Sequence, residues 1–219
     1  MESLSAVDVA KWFIQNDLDT PRNTFDGNMK LQKLLYFSQL VHLAKYNKPL
    51  FDEKILAFQN GSVIEEVRQL YRNNHYQFVD QANKTNLRLT SEQLDTLLTV
   101  EEIFGELSAL ELSDLNHQHQ SWKESYENSR IGSFHEKHLS EITISQLQKH
   151  EVPKVQEILE AHYSGMSLIA FEVVNGRKFY YDPEQIQITD ELLALLESFD
   201  GQDSAYSLYL DETAGIVIY

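Results

Sequence analysis

The sequence predicts an α+β protein. A mainly α-helical N-terminal domain with a short β-hairpin is expected over residues 1–139, followed by a small acidic α+β unit with two β-hairpins over 140–219. Three observations lead there. Apolar residues recur at three- and four-residue spacing through most of the N-terminal half, the pattern of helices with one buried face. Asn175-Gly176 separates two β-rich runs, and that dipeptide supplies the positive φ angles of a two-residue hairpin turn. The charge texture also shifts: residues 151–219 hold 13 acids and 3 bases, whereas residues 1–150 hold 21 and 15.

Composition excludes several classes of function. The balance of 18 Lys and Arg against 34 Asp and Glu leaves a formal charge of −16. A surface of that sign repels phosphate backbones and anionic lipid, so direct nucleic-acid and membrane-surface binding are disfavoured. There is no Cys, which removes disulfides, thiolate metal sites and Cys nucleophiles. The eight Gly form neither G-x-G-x-x-G nor G-x-x-x-x-G-K-[ST], the loops that cradle phosphates. The first residues carry an acid in place of the basic leader of a signal peptide, and no apolar run approaches the roughly 18 residues of a membrane span. The expected location is the cytoplasm.

Element by element, Ser5 to Asn16 reads as a short amphipathic helix with Val9, Trp12 and Phe13 on one face. Pro21 and Gly27 mark a loop. From Asn28 as N-cap, the run to Asn47 puts Leu31, Leu34, Leu35, Tyr36, Phe37, Leu40, Val41 and Leu43 on nearly every face, as a central buried helix does. Pro49 stops it, and Ile55 to Phe58 is a short strand. Val63 to Asn74 is helical. Leu87 and Leu89 alternate like a second strand that would pair with the first. Thr90 and Gln93 form a capping-box signature before one long amphipathic helix that runs through Leu110.

Beyond Pro153, a good first-turn residue, Val155, Ile158, Leu159 and His162 have helical spacing. Ser167 to Val174 and Arg177 to Tyr181 form the first hairpin of the C-terminal unit. Thr189 caps a helix with Asp190 and Glu191 in its first turn and Leu192, Leu195, Leu196 and Phe199 on its buried face. Tyr206 to Leu210 and Ile216 to Tyr219 close the chain as a second hairpin.

The succession Lys30-Leu-Gln-Lys-Leu-Leu-Tyr-Phe-Ser-Gln39, His42 to Asp52 and Ile55 to Val67 resembles the SocA-like antitoxin family, also called the Panacea domain, which is common in bacterial and prophage genomes. Leu112-Ser-Asp-Leu-Asn-His117 followed by Trp122 is similar to that family's closing element. The resemblance covers roughly residues 5–135. The chain departs from the family pattern at Ser62 and Glu65, where Pro is usual, and at Asn116, where Thr is common. The resemblance implies a toxin–antitoxin pair in which this protein restrains a cognate toxin, encoded next to it, by direct protein–protein contact. One characterised type of the family hands its toxin to a cytoplasmic protease, so a proteolytic adaptor or prophage regulatory protein is the alternative. No catalytic activity and no cofactor are implied, so the expectation is a non-enzyme.

An enzyme-class rival, a metal-dependent hydrolase, would draw on His117, His119, His135 and His138 with Glu136 nearby. Residues two apart fall on different faces of a helix, however, and no H-E-x-x-H pattern fixes a geometry. No metal site is therefore expected, and the resemblance favours His117 and Trp122 as a structural hydrogen-bonded pair that locks the last helix of the domain. A Ser hydrolase has no G-x-S-x-G elbow to rest on. Adjacent carboxylates such as Glu65-Glu66, Glu101-Glu102 and Asp211-Glu212 point to different faces and read as solvated charge.

Lys30 and Lys33 stand out on an otherwise apolar helix. The plain expectation is that their stems snorkel along the helix edge and their ammonium groups pair with local acids. The functional expectation is a partner-binding groove that draws on Gln32, Lys33, Tyr36 and Gln39, with Tyr71, Arg72 and Tyr76 on the same surface, since Tyr and Arg are enriched at binding hot spots. The acids of the C-terminal unit, Glu157, Glu160, Asp190, Glu191, Glu197, Asp200 and Asp203, keep the chain soluble on the plainer reading and meet a basic partner on the sharper one.

Overall fold

A computed structural model describes residues 4–166, 170–201, 205–211 and 215–219. The chain divides into two compact units, Met1–Gln156 and Glu157–Tyr219. Sequence texture put the change at 139/140. The segment 140–156 instead packs with the first unit, because a short strand at 141–142 pairs there and Leu147 and Glu151 are fully buried.

The first unit is built around one helix. α1 (Ala6–Gln15) starts at Ser5, whose side chain accepts from the Asp8 N–H, and buries Val9, Phe13 and Ile14. α2 (Phe25–Tyr46) follows. It begins four residues earlier than the expected cap at Asn28 implies, because Thr24 supplies the cap by accepting from the Gly27 N–H at 3.0 Å. It ends at Asn47 in the left-handed conformation, a geometry that Asn tolerates. Leu31, Leu34, Leu35, Tyr36, Leu40 and Val41 are fully buried, and each such side chain contributes about 1.5–3 kcal/mol of transfer free energy.

β1 (Ile55–Phe58) and β2 (Gly61–Val63) make a tight hairpin with Leu56 opposite Val63 and Phe58 opposite Gly61. α3 (Glu65–Asn73) and α4 (His75–Lys84) come next. Val63 thus belongs to a strand instead of the helix the sequence suggested. The expected strand at Leu87 and Leu89 does not form. Both edges of β1 are already taken, one by β2 and the other by β5 (Glu141–Ile142), in the order β2-β1-β5.

α5 (Ser91–Phe104) has the Thr90–Gln93 capping box but stops at Gly105. A second box, Ser108 with Glu111, starts α6 (Ala109–Gln118), so the single long helix expected through Leu110 is two. α7 (Gln120–Asn128), the ladder β3 (Arg130–Ile131) with β4 (Phe134–His135), a 3-10 turn at Lys137–Leu139 and α8 (Ile144–His150) complete the unit. α2 packs against α1, α3, α5, α6, α8 and β2, which makes it the axis of the unit.

α9 (Val152–Met166) contains the division between the units. In the second unit β6 (Ala170–Val174) and β7 (Arg177–Tyr181) meet at Asn175 and Gly176, with φ of 52° and 78° as a type I′ turn needs. The expected start of β6 at Ser167 lies outside the described residues. α10 (Asp190–Ser198) is capped by Thr189. β8 (Ala205–Asp211) and β9 (Gly215–Ile218) complete a sheet ordered β6-β7-β8-β9, with β8 parallel to β7. Phe179, Leu192, Leu196, Tyr206 and Leu208 form its separate core.

Candidate functional site

The β1–β2 hairpin is held from outside the sheet by side chains, and this sets the floor of a cleft. Trp122 Nε1 donates to the Phe58 carbonyl at 3.0 Å, His117 Nε2 to the Gln59 carbonyl at 3.0 Å, and Ser113 Oγ to the Asn60 carbonyl at 3.1 Å. Asn116 Oδ1 accepts from both the N–H and the hydroxyl of Ser62. Lys33 Nζ donates to the Ser62 carbonyl at 2.9 Å, and Gln32 Oε1 accepts from the Ile64 N–H at 2.7 Å. Six side chains from α2, α6 and α7 thus satisfy a turn whose outer backbone groups would otherwise be stranded. Gly61 sits at φ +96°, and a Cβ there would lie 2.6 Å from Lys33 Nζ and 2.4 Å from Asn116 Oδ1. Only glycine lets the turn lie this close to its supports.

Over that turn lies a cleft of about 600 Å³. The N-terminal part of α2 contributes Thr24, Phe25, Asn28, Met29, Gln32 and Lys33; the hairpin contributes Phe58, Gln59, Asn60 and Val63; α3 contributes Arg68, Tyr71 and Arg72, and Asn23 completes the lining. Tyr71 is fixed there because its hydroxyl donates to the buried Asp19 carboxylate at 2.9 Å and accepts from the Asn23 N–H at 3.1 Å. Burial, with the Asp19 charge beside it, pushes the Tyr71 phenol above its ordinary range. Arg68 grips Glu65 with two hydrogen bonds of 2.7 and 2.8 Å, and those bonds hold the Glu65 carboxyl down to about 2. Lys33 is almost fully buried, and desolvation pushes its ammonium down to about 7.

Of the residues expected in a partner-binding groove, Gln32, Lys33, Tyr71 and Arg72 come together in this cleft. The other three do not. Tyr36 is fully buried one turn further along α2, beyond the cleft lining, its hydroxyl 2.7 Å from His119 Nδ1 and 3.4 Å from Ser121 Oγ. Gln39 clamps the chain after α2, accepting from the Leu50 and Phe51 N–H groups and donating to the Phe51 carbonyl. Tyr76 is 80% exposed on α4, edge-on to His75, and does not line the cleft. Lys30 and Lys33 do not pair with acids: Lys30 donates to the Gly105 carbonyl and Lys33 to that of Ser62, so both helix lysines serve as buried backbone clamps. His117 and Trp122 lie 4.3 Å apart ring to ring but bond to neighbouring carbonyls of the hairpin instead of to each other.

Sequence reasoning missed Phe25, Asn28 and Arg68. A signal for Arg68 was present: it stands one turn before Arg72, and residues four apart share a helix face. Phe25 and Asn28 were hidden by the misplaced start of α2.

The histidines considered for a metal site are dispersed over separate tasks. His119 joins Tyr36, His135 lies 2.9 Å from Ser129 Oγ, and His138 is exposed beside Glu136. Among the described residues no group of three metal-ligating side chains converges. The acids of the second unit that fall in the described residues, Glu157, Glu160, Asp190, Glu191, Glu197 and Asp200, are exposed; Asp203 and Glu212 lie outside them.

Fold and site together define a mainly helical α+β domain with a clamped hairpin and a cation-bearing cleft. Residues 31–123, from within α2 to within α7, match the family model described as antitoxin SocA-like, Panacea domain, the family that this stretch resembles in sequence. No curated protein and no solved structure matches the chain. No helix among the described residues is long and apolar enough to cross a membrane.

Proposed function

We propose that this protein is an antitoxin that binds a cognate toxin, encoded beside it, and neutralises it by direct contact without catalysis. The match of residues 31–123 to the SocA-like Panacea domain carries the reading. The cleft supports it as the contact site, because it gathers the exposed Arg72 and Phe25, residue types enriched at protein interfaces, on α3 and α2.

Co-expression with each neighbouring open reading frame in a bacterial host tests the proposal. A neighbour that stops growth alone, is tolerated beside this protein and co-elutes with it is the expected result. Harmless neighbours and no co-elution would reject it. Rescue accompanied by disappearance of the partner protein would replace stoichiometric neutralisation with delivery to a protease.

A further inference from the structure

The cleft has a charge opposite to that of the molecule around it. The chain carries 34 acids against 18 bases, yet the lining holds Lys33, Arg68 and Arg72 and, among the described residues, no acid. The three cations are not equally engaged. Arg68 spends two of its N–H groups on Glu65, which Lys137 also reaches at 2.7 Å. Lys33 has one hydrogen bond, to the Ser62 carbonyl, and no acid within ion-pair distance among the described residues. Arg72 is exposed, and no hydrogen bond or ion pair engages its guanidinium among the described residues. Arg72 is thus the open cation of the cleft, and a carboxylate brought there would find a guanidinium with its donors to spare.

The rest of the lining suits a peptide. Asn23, Gln59 and Asn60 present side-chain amides, which both donate and accept as a peptide backbone does, while the Asn28 amide is held by the Arg68 carbonyl and Gln32. Phe25, 67% exposed at the mouth, stands with Met29 and Phe58 as an apolar grip. The net positive charge is small once Glu65 is set against Arg68 and Lys137, which matches one or two carboxylates better than a polyphosphate. The geometry points to an acidic segment of the partner protein as the occupant, with an Asp or Glu carboxylate on Arg72 and an adjoining apolar side chain on Phe25. This rests on the partner-binding reading above and adds the chemistry of the contact.

The test is selection of phage-displayed random peptides on the full-length protein, followed by affinity measurement with the resynthesised winners. Enriched peptides should pair Asp or Glu with a neighbouring aromatic or aliphatic residue. Their affinity should fall about tenfold or more in Arg72→Glu, less in Arg72→Ala, and not at all in Arg88→Glu, a charge reversal outside the cleft. ATP should not displace them. Enrichment of peptides without acids, no enrichment, indifference to Arg72→Glu, or displacement by ATP would each overturn the inference, the last by making a nucleotide the occupant. Both Arg72 variants alter an exposed side chain, so loss of fold does not confound them, and circular dichroism checks this. Growth rescue by the wild type without an acidic winner removes this inference alone. An acidic winner with harmless neighbours removes the antitoxin reading and leaves the site.

Discussion

Lys33 shows how one residue ties the site to stability. Its ammonium is buried against the Ser62 carbonyl, beneath Gly61 and beside Asn116, and desolvation lowers its pKa from the usual 10.5 to about 7. Between those values the unfolded chain holds a proton that the folded chain has released, so stability rises as pH climbs through that window, by at most about 1.4 kcal/mol per pH unit. Lys33→Met should flatten that rise, as measured by urea denaturation from pH 7 to 10; an unchanged slope would mean that the charge is better solvated than its burial indicates. Asn116→Ala strands the Ser62 N–H and hydroxyl and should cost about 1–3 kcal/mol in the same assay. The sequence singled out Lys33 from its place on an apolar helix. It could not show that a glycine turn from elsewhere in the chain would supply the lysine's acceptor, since that contact depends on long-range packing.

At the scale of elements, what could be read early was what local chemistry decides. The Thr90–Gln93 box, the Thr189 cap and the Asn175-Gly176 turn each rest on residues within one turn of each other, and each appears where expected. Leu87 and Leu89 show the opposite case. Their alternation suits a strand, but strand formation needs a free edge, and β2 and β5 occupy both edges of β1. The break after Phe104 was legible in Ser108-Ala-Leu-Glu111 and was masked by Leu107 and Leu110 continuing the helical spacing. Gly176, at φ 78° with open space around it, gives a clean test of the hairpin. Gly176→Val should destabilise the second unit by about 1–2 kcal/mol through backbone strain alone, seen as a lower midpoint in far-ultraviolet circular dichroism.

At the scale of the whole molecule, the two units have distinguishable reporters. Both Trp, Trp12 and Trp122, lie in the first unit, so Trp emission should keep its urea midpoint in Gly176→Val while the dichroism curve splits away. Coincident shifts would show that the units unfold as one. The acids of the second unit have a global reading as well. If they serve solubility, changing Glu157, Glu160, Glu191 and Glu197 to Gln should leave the rate of partner association and its salt dependence unaltered; a slower, less salt-sensitive rate would give that unit a docking role. No resemblance covered this unit, and its parallel pairing of β7 with β8 was not legible, because the two strands are joined only through α10.

Hydrogen exchange on the full-length protein, free and in complex with the partner that co-expression identifies, reports directly where that partner sits. Slowed exchange in residues 23–33 and 58–72, the walls of the cleft, is the predicted result. Protection confined to residues 170–219, with the cleft exchanging as in the free protein, would contradict it.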